Sequence, residues 1–209
     1  MTGKFIVLEG IEGVGKTTNM EFICRYLTDK HLDVVRTREP GGTPLAEKIR
    51  DIVLHTKGYE TLSIDAELLL MFAARAQHIA QIIQPALSKG QWLVSDRFTD
   101  ASYAYQGGGR GIAHDRIAVL EKWVQNDLQP DRVIILDAPV DVALLRTQHR
   151  KVKDRIEQEQ TDFFVRVRQA YLQRAELNPS RYRIVNAAES LSQVQAHLRA
   201  ILDELINEA

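Results

Sequence analysis

The sequence predicts an α/β fold, a doubly wound sheet of five parallel strands flanked by helices. Three observations predict it. Short apolar runs recur along the chain, separated by stretches long enough for a crossover helix. The polar residues that punctuate those runs fall at their carboxyl ends, where ligands of such sheets collect. A glycine-rich turn stands between the first run and the first helical pattern.

In chain order, the strand-like runs are Phe5–Glu9, Val34–Thr37, Trp92–Asp96, Val133–Asp137 and Tyr182–Asn186. Their carboxyl ends carry Glu9, Thr37-Arg38-Glu39, Asp96-Arg97, Asp137 and Asn186. Apolar spacing of three and four residues predicts helices over about Lys16–His31, Leu45–His55, Ala66–Leu87, Asp115–Val124, Val142–Gln148, Asp162–Ala175 and Leu191–Ile206. Two segments rich in glycine and arginine read as loops that bend close to an anion: Arg38-Glu39-Pro40-Gly41-Gly42-Thr43 and Gln106-Gly107-Gly108-Gly109-Arg110-Gly111.

With 209 residues, 44% of them hydrophobic, the chain is expected to form one domain spanning 1–209. The formal net charge of -1, from 27 basic and 28 acidic residues, provides no global field toward nucleic acid or an acidic membrane. No apolar stretch approaches the ~20 residues that span a bilayer, and the short lead into the first strand leaves no room for a signal peptide. A cytoplasmic protein is expected. The one cysteine, Cys24, excludes an intrachain disulfide; among Phe22, Ile23 and Leu27 it reads as an inert thiol.

The segment Gly10-Ile11-Glu12-Gly13-Val14-Gly15-Lys16-Thr17 is a complete G-x-x-x-x-G-K-T phosphate loop directly behind the first strand. Its backbone N–H groups and the positive end of the following helix make a hollow for a polyphosphate. Lys16 would reach the β- and γ-phosphates and the Thr17 hydroxyl would bind Mg²⁺, so the chain handles a nucleoside triphosphate. Asp96-Arg97, at the end of the third run, supplies a carboxylate for the magnesium shell beside Thr17 and a guanidinium for a neighbouring phosphate. Taken alone the dipeptide is a weak signal, and the competing reading is a local salt bridge at a strand end.

Arg75 interrupts the apolar run Leu68–Ala74, where an unpaired cation is costly. Met71 and Phe72 share its helix face, so an apolar wall meets a five-donor fork, a combination that suits a nucleobase. The competing reading is an arginine reaching a surface acid. A basic run, Arg146, His149, Arg150, Lys151, Lys153 and Arg155, precedes Glu157 and Glu159. It reads either as a solvated face or as a lid over the phosphate site, spanning about 146–157.

Six segments in order resemble the bacterial thymidylate kinase family, whose members transfer the γ-phosphoryl of ATP to dTMP. They are Gly10–Thr17, Thr37–Thr43, Leu70–Arg75, Asp96-Arg97-Phe98, Ala104–Gly111 and Asp154-Arg155-Ile156-Glu157, and the resemblance extends over essentially the whole chain. The resemblance implies phosphate-loop kinases with a short mobile lid, Mg²⁺ as cofactor, ATP and dTMP as substrates, and a homodimer. It implies that Gly10, Gly13, Val14, Gly15, Lys16, Thr17 and Thr18 hold ATP, with Arg146 near the adenine. It further implies that Glu12 contacts the sugar 3′-hydroxyl, Arg50 and Arg97 hold the acceptor phosphate, and Arg75 bonds the thymine ring. Ser102 and Gln106 then belong to the base site, and Tyr105 crowds the 2′ position. Family members divide by where the catalytic arginine sits; position 12 is Glu and the phosphate loop holds no arginine, so this chain resembles the type in which the lid supplies it, here Arg150. The family's stacking phenylalanine commonly lies four residues before the base-reading arginine. Here that position is Met71 and the aromatic is one later, so Phe72 with Met71 beside it is the expected stacking pair. Phe98 replaces a frequent Tyr or His.

Three other readings make contrasting demands. A regulatory GTPase needs Asp-x-x-Gly and Asn-Lys-x-Asp, neither of which occurs. A nucleic-acid-stimulated ATPase needs a basic surface. A kinase for another nucleotide or a deoxynucleoside satisfies the same spacing.

Overall fold

The computed structural model describes residues 3–55, 61–147 and 154–208. Five strands, β1 (Phe5–Glu9), β2 (Val34–Arg38), β3 (Trp92–Asp96), β4 (Arg132–Asp137) and β5 (Tyr182–Asn186), form one parallel sheet in the order β2-β3-β1-β4-β5. The sheet is the expected one. β1, β3 and β4 are buried almost throughout, which their unbroken Val/Ile/Leu runs require of a sheet covered on both faces. From β1 the chain winds outward to β2 and β3, then crosses to β4 and β5 on the other side. The winding reverses around β1, which opens a crevice at its carboxyl end.

The helices are α1 (Lys16–Asp29), α2 (Pro44–His55), α3 (Ile64–His78), α4 (Gln84–Ser88), α5 (Thr99–Ser102), α6 (His114–Gln125), α7 (Val140–Leu145), α8 (Thr161–Leu177) and α9 (Leu191–Asn207). Ser63 starts α3, accepting the Ala66 N–H on its hydroxyl, with Asp65 and Glu67 in the first turn. Between α3 and α4 the backbone passes through a π turn, Ile79–Ile83. Pro85 follows at the start of α4; it lacks an N–H and would crowd the carbonyl four residues back, and a widened turn relieves both problems. The helix expected over Ala66–Leu87 is therefore longer, running 64–88, and is interrupted. The expected helix at Val142–Gln148 instead starts at Val140, directly after Pro139, and ends at Leu145.

One expectation fails outright. Gln106–Gly111 is not simply a loop: Tyr103–Gly109 forms a second π-helical segment continuing α5. Its glycines serve close packing on α8. A Cβ on Gly108 would lie 2.8 Å from the Ala170 Cβ, and one on Gly109 would lie 2.4 Å from the Phe163 ring. Tertiary packing, absent from local sequence, decides this segment. The resulting turn projects Tyr105 and Gln106 toward the crevice beside β1. Most of the apolar core is continuous around the sheet, while Leu68, Phe72, Tyr103, Ile112 and Ile117 form a second cluster between α3 and α6.

Candidate active site

The crevice is a cavity of about 530 Å³, within the usual range for a small-molecule site. One end is the turn between β1 and α1. Gly10, Gly13 and Gly15 have positive φ there, and a Cβ on Gly13 would fall 1.9 Å from the Ala143 carbonyl oxygen. Only glycine lets this turn close against α7. The loop ends on the N-terminus of α1, whose first turn carries no acidic residue, so N–H dipoles and Lys16 face an incoming anion unopposed. Lys16 Nζ donates to the Gly10 and Ile11 carbonyls at 2.9 Å each. Burial, and next the Arg97 cation, pull its pKa down to about 8.

Thr17, Thr18 and Asp96 line the same end. Asp96 Oδ1 is buried with no hydrogen-bond partner, an acceptor left for a cation or donor. No cluster of three or more His, Cys, Asp or Glu able to hold a metal occurs among the described residues. Arg146, after α7, also lines this end and donates through Nη1 to the Ala187 carbonyl at 2.9 Å.

The middle of the cavity is built around Arg97. Its backbone has φ 73°, a conformation uncommon for a residue with a side chain and frequent at functional sites. Nη2 donates to Glu12 Oε1 at 2.7 Å and to the Tyr105 hydroxyl at 2.9 Å, while Nη1 donates to the Tyr171 hydroxyl at 2.9 Å. Tyr105 donates to both Glu12 oxygens at 2.8 Å, and its ring lies 4.6 Å from the Arg97 guanidinium carbon. Behind them, Tyr171 donates to Glu9 Oε2 at 2.7 Å and the Phe98 N–H donates to Glu9 Oε1 at 2.8 Å. Burial, helped by the nearby Asp100, still pushes the Glu9 carboxyl up to about 8. Arg50, on α2, donates to the Pro40 carbonyl at 2.9 Å and faces the same space as Arg38 and Arg97. Arg38 is half-exposed and paired with Glu47 at 2.8 Å.

The third end is less polar: Leu54, Met71, Ala101, Tyr105, Gln106 and the Glu39-Pro40 turn. Met71 is on this wall and Phe72 is not. Phe72 is turned into the α3–α6 cluster, 2% exposed, and touches the Arg75 guanidinium from that side at 4.6 Å. The preference for Phe72 over Met71 as the residue facing the cavity is thus reversed. Arg75 does not reach a surface acid; it is 1% exposed, and its Nε donates to the buried Glu39 at 2.7 Å. Its Nη2 donates to the Phe98 carbonyl at 3.0 Å and the Ser102 hydroxyl at 3.1 Å, and Nη1 has no partner. Ser102 is wholly buried beneath this contact and is not part of the wall, so it orients Arg75 rather than facing the cavity. His78 completes the network, with Nδ1 2.9 Å from Glu39 Oε1 and Nε2 2.6 Å from the Thr37 hydroxyl. Arg75→Ala is expected to leave Glu39 buried without its guanidinium, lowering stability by about 3–5 kcal/mol, a loss that denaturant unfolding would measure.

The sequence reading thus brings Glu12, Gly13, Gly15, Lys16, Thr17, Thr18, Arg50, Met71, Asp96, Arg97, Tyr105, Gln106 and Arg146 to one cavity. Gly10 and Val14 lie behind the loop, and Val14 belongs to the core. Arg150, with His149, Lys151 and Lys153, lies outside the described residues. Glu9, legible in sequence only as a polar strand end, braces Tyr171, and Tyr171, which the sequence does not mark, braces Arg97. Tyr171 is 74 residues from its partner on a helix with no motif, and no local signal marks it.

A family model described as thymidylate kinase matches residues 8–198. The chain belongs to the thymidylate kinase family. It is 54% identical over 206 residues to the thymidylate kinase of Pseudomonas syringae pv. tomato, covering 99% of this chain and 98% of that protein. Against the thymidylate kinase of Pseudomonas putida F1 the identity is 55% over the same coverage. The crystal structure of thymidylate kinase from Ehrlichia chaffeensis superposes with a TM-score of 0.78 at 32% identity, covering 97% of this chain and 99% of that one. The thymidylate kinase family is one of ATP-dependent nucleoside monophosphate kinases, transferases of nucleotide biosynthesis, and the fold is the one its solved member adopts. No helix among the described residues is long and apolar enough to cross a membrane.

Proposed function

We propose that this chain transfers the γ-phosphoryl of ATP to dTMP in the cavity beside β1, with ATP on the phosphate loop and the base of dTMP against Met71 and Gln106. One observation carries the base assignment. Gln106, on that wall, has its acceptor Oε1 without a partner, and Arg75, buried behind the wall and not lining it, has its donor Nη1 without one. Thymine offers the complement, an N3–H to donate and a 4-carbonyl to accept. Cytosine offers the reverse at both positions, and each mismatch would leave a buried group unpaired. Tyr105, held by Glu12 and Arg97 on the cavity wall, is the residue we assign to crowding the 2′ position and favouring deoxyribose, as the family resemblance implies.

The chemical problem is to bring two polyanions into line and neutralise the charge spread over the transferring group. Lys16 and the loop amides orient the donor phosphates. Arg97 and Arg50 fix the acceptor phosphate, and Glu12 orders Arg97 and meets the sugar 3′-hydroxyl. Thr17 and Asp96 would hold Mg²⁺, which when bound neutralises the polyphosphate; the unpartnered Asp96 Oδ1 fits that duty. No general base is required, since a phosphate monoester is mostly a dianion near neutral pH. Arg146 lies where it can flank the adenine, and Arg150 supplies the catalytic guanidinium from a lid over 146–157. We read the chain as a single kinase domain, cytoplasmic and homodimeric, without nucleic-acid or membrane partners. The exposed Leu69 on α3 and Val119 and Trp123 on α6 support pairing of copies.

The test is ADP release with Mg-ATP against dTMP, dUMP, dCMP, UMP, AMP and GMP. Selective turnover of dTMP is expected. Equal or faster turnover of dCMP, or of another acceptor, overturns the base assignment.

A further inference from the structure

We propose that Glu67 is a positioning residue for base selection: it fixes the amide of Gln106 so that the carbonyl oxygen, and not the NH₂ group, is presented to the base, and Arg155 holds Glu67 in that pose. The inference rests on the reading above that Gln106 faces the base of dTMP.

Glu67 sits in the first turn of α3, a place where acidic residues are ordinarily solvated, yet it is 1% exposed. Its two oxygens are occupied separately. Oε1 accepts from Gln106 Nε2 at 2.7 Å, and Oε2 accepts from Arg155 Nη2 at 2.5 Å. Arg110 Nε lies 3.4 Å from Oε2, and its Nη1 donates to Glu159 at 2.5 Å.

The two ends of a glutamine amide are nearly the same size, so shape alone does not choose between them; the partner does. A carboxylate only accepts, so it draws the NH₂ end of Gln106 toward itself. The carbonyl end is thereby the free one, buried and unpartnered. Gln106 is completely buried, and rotating its amide would set its oxygen against a carboxylate oxygen. A base must then offer N–H at that point, as thymine and uracil do and cytosine does not. Selectivity at Gln106 is in this way set by a residue 39 positions earlier.

Arg155 extends the device. It is the last residue of the basic run, and besides Glu67 it donates through Nε to the Val53 carbonyl at 3.0 Å. Its own N–H donates to the carbonyl of Leu54, a residue of the cavity wall. Arg155 thus ties the carboxylate that orders the base site to the Val53-Leu54 backbone beside the cavity. This use of Arg155 also removes it from the candidates for the catalytic arginine.

The experiment measures kcat/KM for dTMP and dCMP with Mg-ATP in the parent, in Glu67→Gln, and in the double variant Glu67→Met with Arg155→Met. A glutamine at 67 can donate or accept, so the Gln106 amide becomes free to turn. The double variant removes both charges together and keeps the test open if Glu67→Gln does not fold. The dTMP:dCMP ratio is expected to fall on the order of ten- to a hundredfold in either variant. A structural role for Glu67 would lower both substrates together and leave the ratio unchanged, which overturns the proposal while the thymine reading stands. A parent enzyme that does not itself prefer dTMP to dCMP overturns both.

Discussion

Lys16→Ala is expected to reduce turnover by roughly 10³-fold or more, to the background of the assay, because it removes the one side-chain cation that the phosphate loop aims at the donor phosphates. The same substitution is expected to leave the melting temperature equal to or above the parent's. Burial and the neighbouring Arg97 hold the Lys16 pKa at about 8 in the folded chain, against an ordinary value of 10.5. Between those values the unfolded chain binds more protons than the folded one, so stability rises with pH across that window. Below about pH 8 the protonated lysine therefore works against folding, and alanine removes that strain. In the parent, ATP must find Lys16 charged. As pH rises through about 8 the free enzyme loses that charge, and kcat/KM for ATP is expected to fall. kcat falls less, since bound polyphosphate pulls the lysine pKa back up. A melting temperature well below the parent's would show that Lys16 supports the fold and would sink this account. So would a kcat/KM for ATP that stays flat through pH 9.

The Lys16 argument depends on features legible in sequence, and the base site shows where legibility ends. Phe5–Glu9 followed by G-x-x-x-x-G-K-T predicts strand, turn and helix because each local preference agrees with its neighbours. β1, β3 and β4 follow from runs that only a doubly covered sheet can bury, while the edge strands β2 and β5 are partly exposed. Met71 and Phe72 show a finer limit. At about 100° per residue, Met71 lies roughly 40° to one side of Arg75 and Phe72 roughly 60° to the other. Both share a face with Arg75 in a helical-wheel sense, yet one flank meets the cavity and the other meets α6. Only the neighbouring helix decides which. Gly107–Gly109 fails for the same reason: three glycines read as a loop, but α6 presses on Gly107 and α8 on Gly108 and Gly109 closely enough to demand residues without side chains. Charge is legible and its partner is not. Arg75 stands out as a buried cation, yet Glu39, its counter-ion, comes from a loop that the sequence assigns to an anion. Arg155 reads as one more member of a basic run, and its carboxylate is 88 residues away.

Arg150→Ala is expected to lower kcat by about 10³-fold, with KM for ATP and dTMP changing far less, as measured by single-turnover quench of labelled ATP under saturating dTMP. The argument is one of charge and geometry. The transferring phosphoryl spreads negative charge over three oxygens, and a fork-shaped, permanently protonated guanidinium matches that distribution better than an ammonium. The phosphate loop contains no arginine between residues 10 and 17. Arg97 is held by Glu12 and Tyr171, and Arg50 is tied to the Pro40 carbonyl. Of the basic segment's arginines, Arg146 is turned to the Ala187 carbonyl and Arg155 is committed to Glu67 and the Val53 carbonyl. Arg150 is the remaining arginine of that segment in sequence, between Arg146 and Arg155, and lies outside the described residues. Arg155→Ala should then change the dTMP:dCMP ratio more than it changes kcat for dTMP, and Arg150→Ala should do the opposite. An Arg150→Ala enzyme with the parent's single-turnover rate would transfer the role to Lys151 or Lys153. The phosphoryl group would then be met by a point charge instead of a fork, and replacing that lysine with arginine would be expected to preserve the rate.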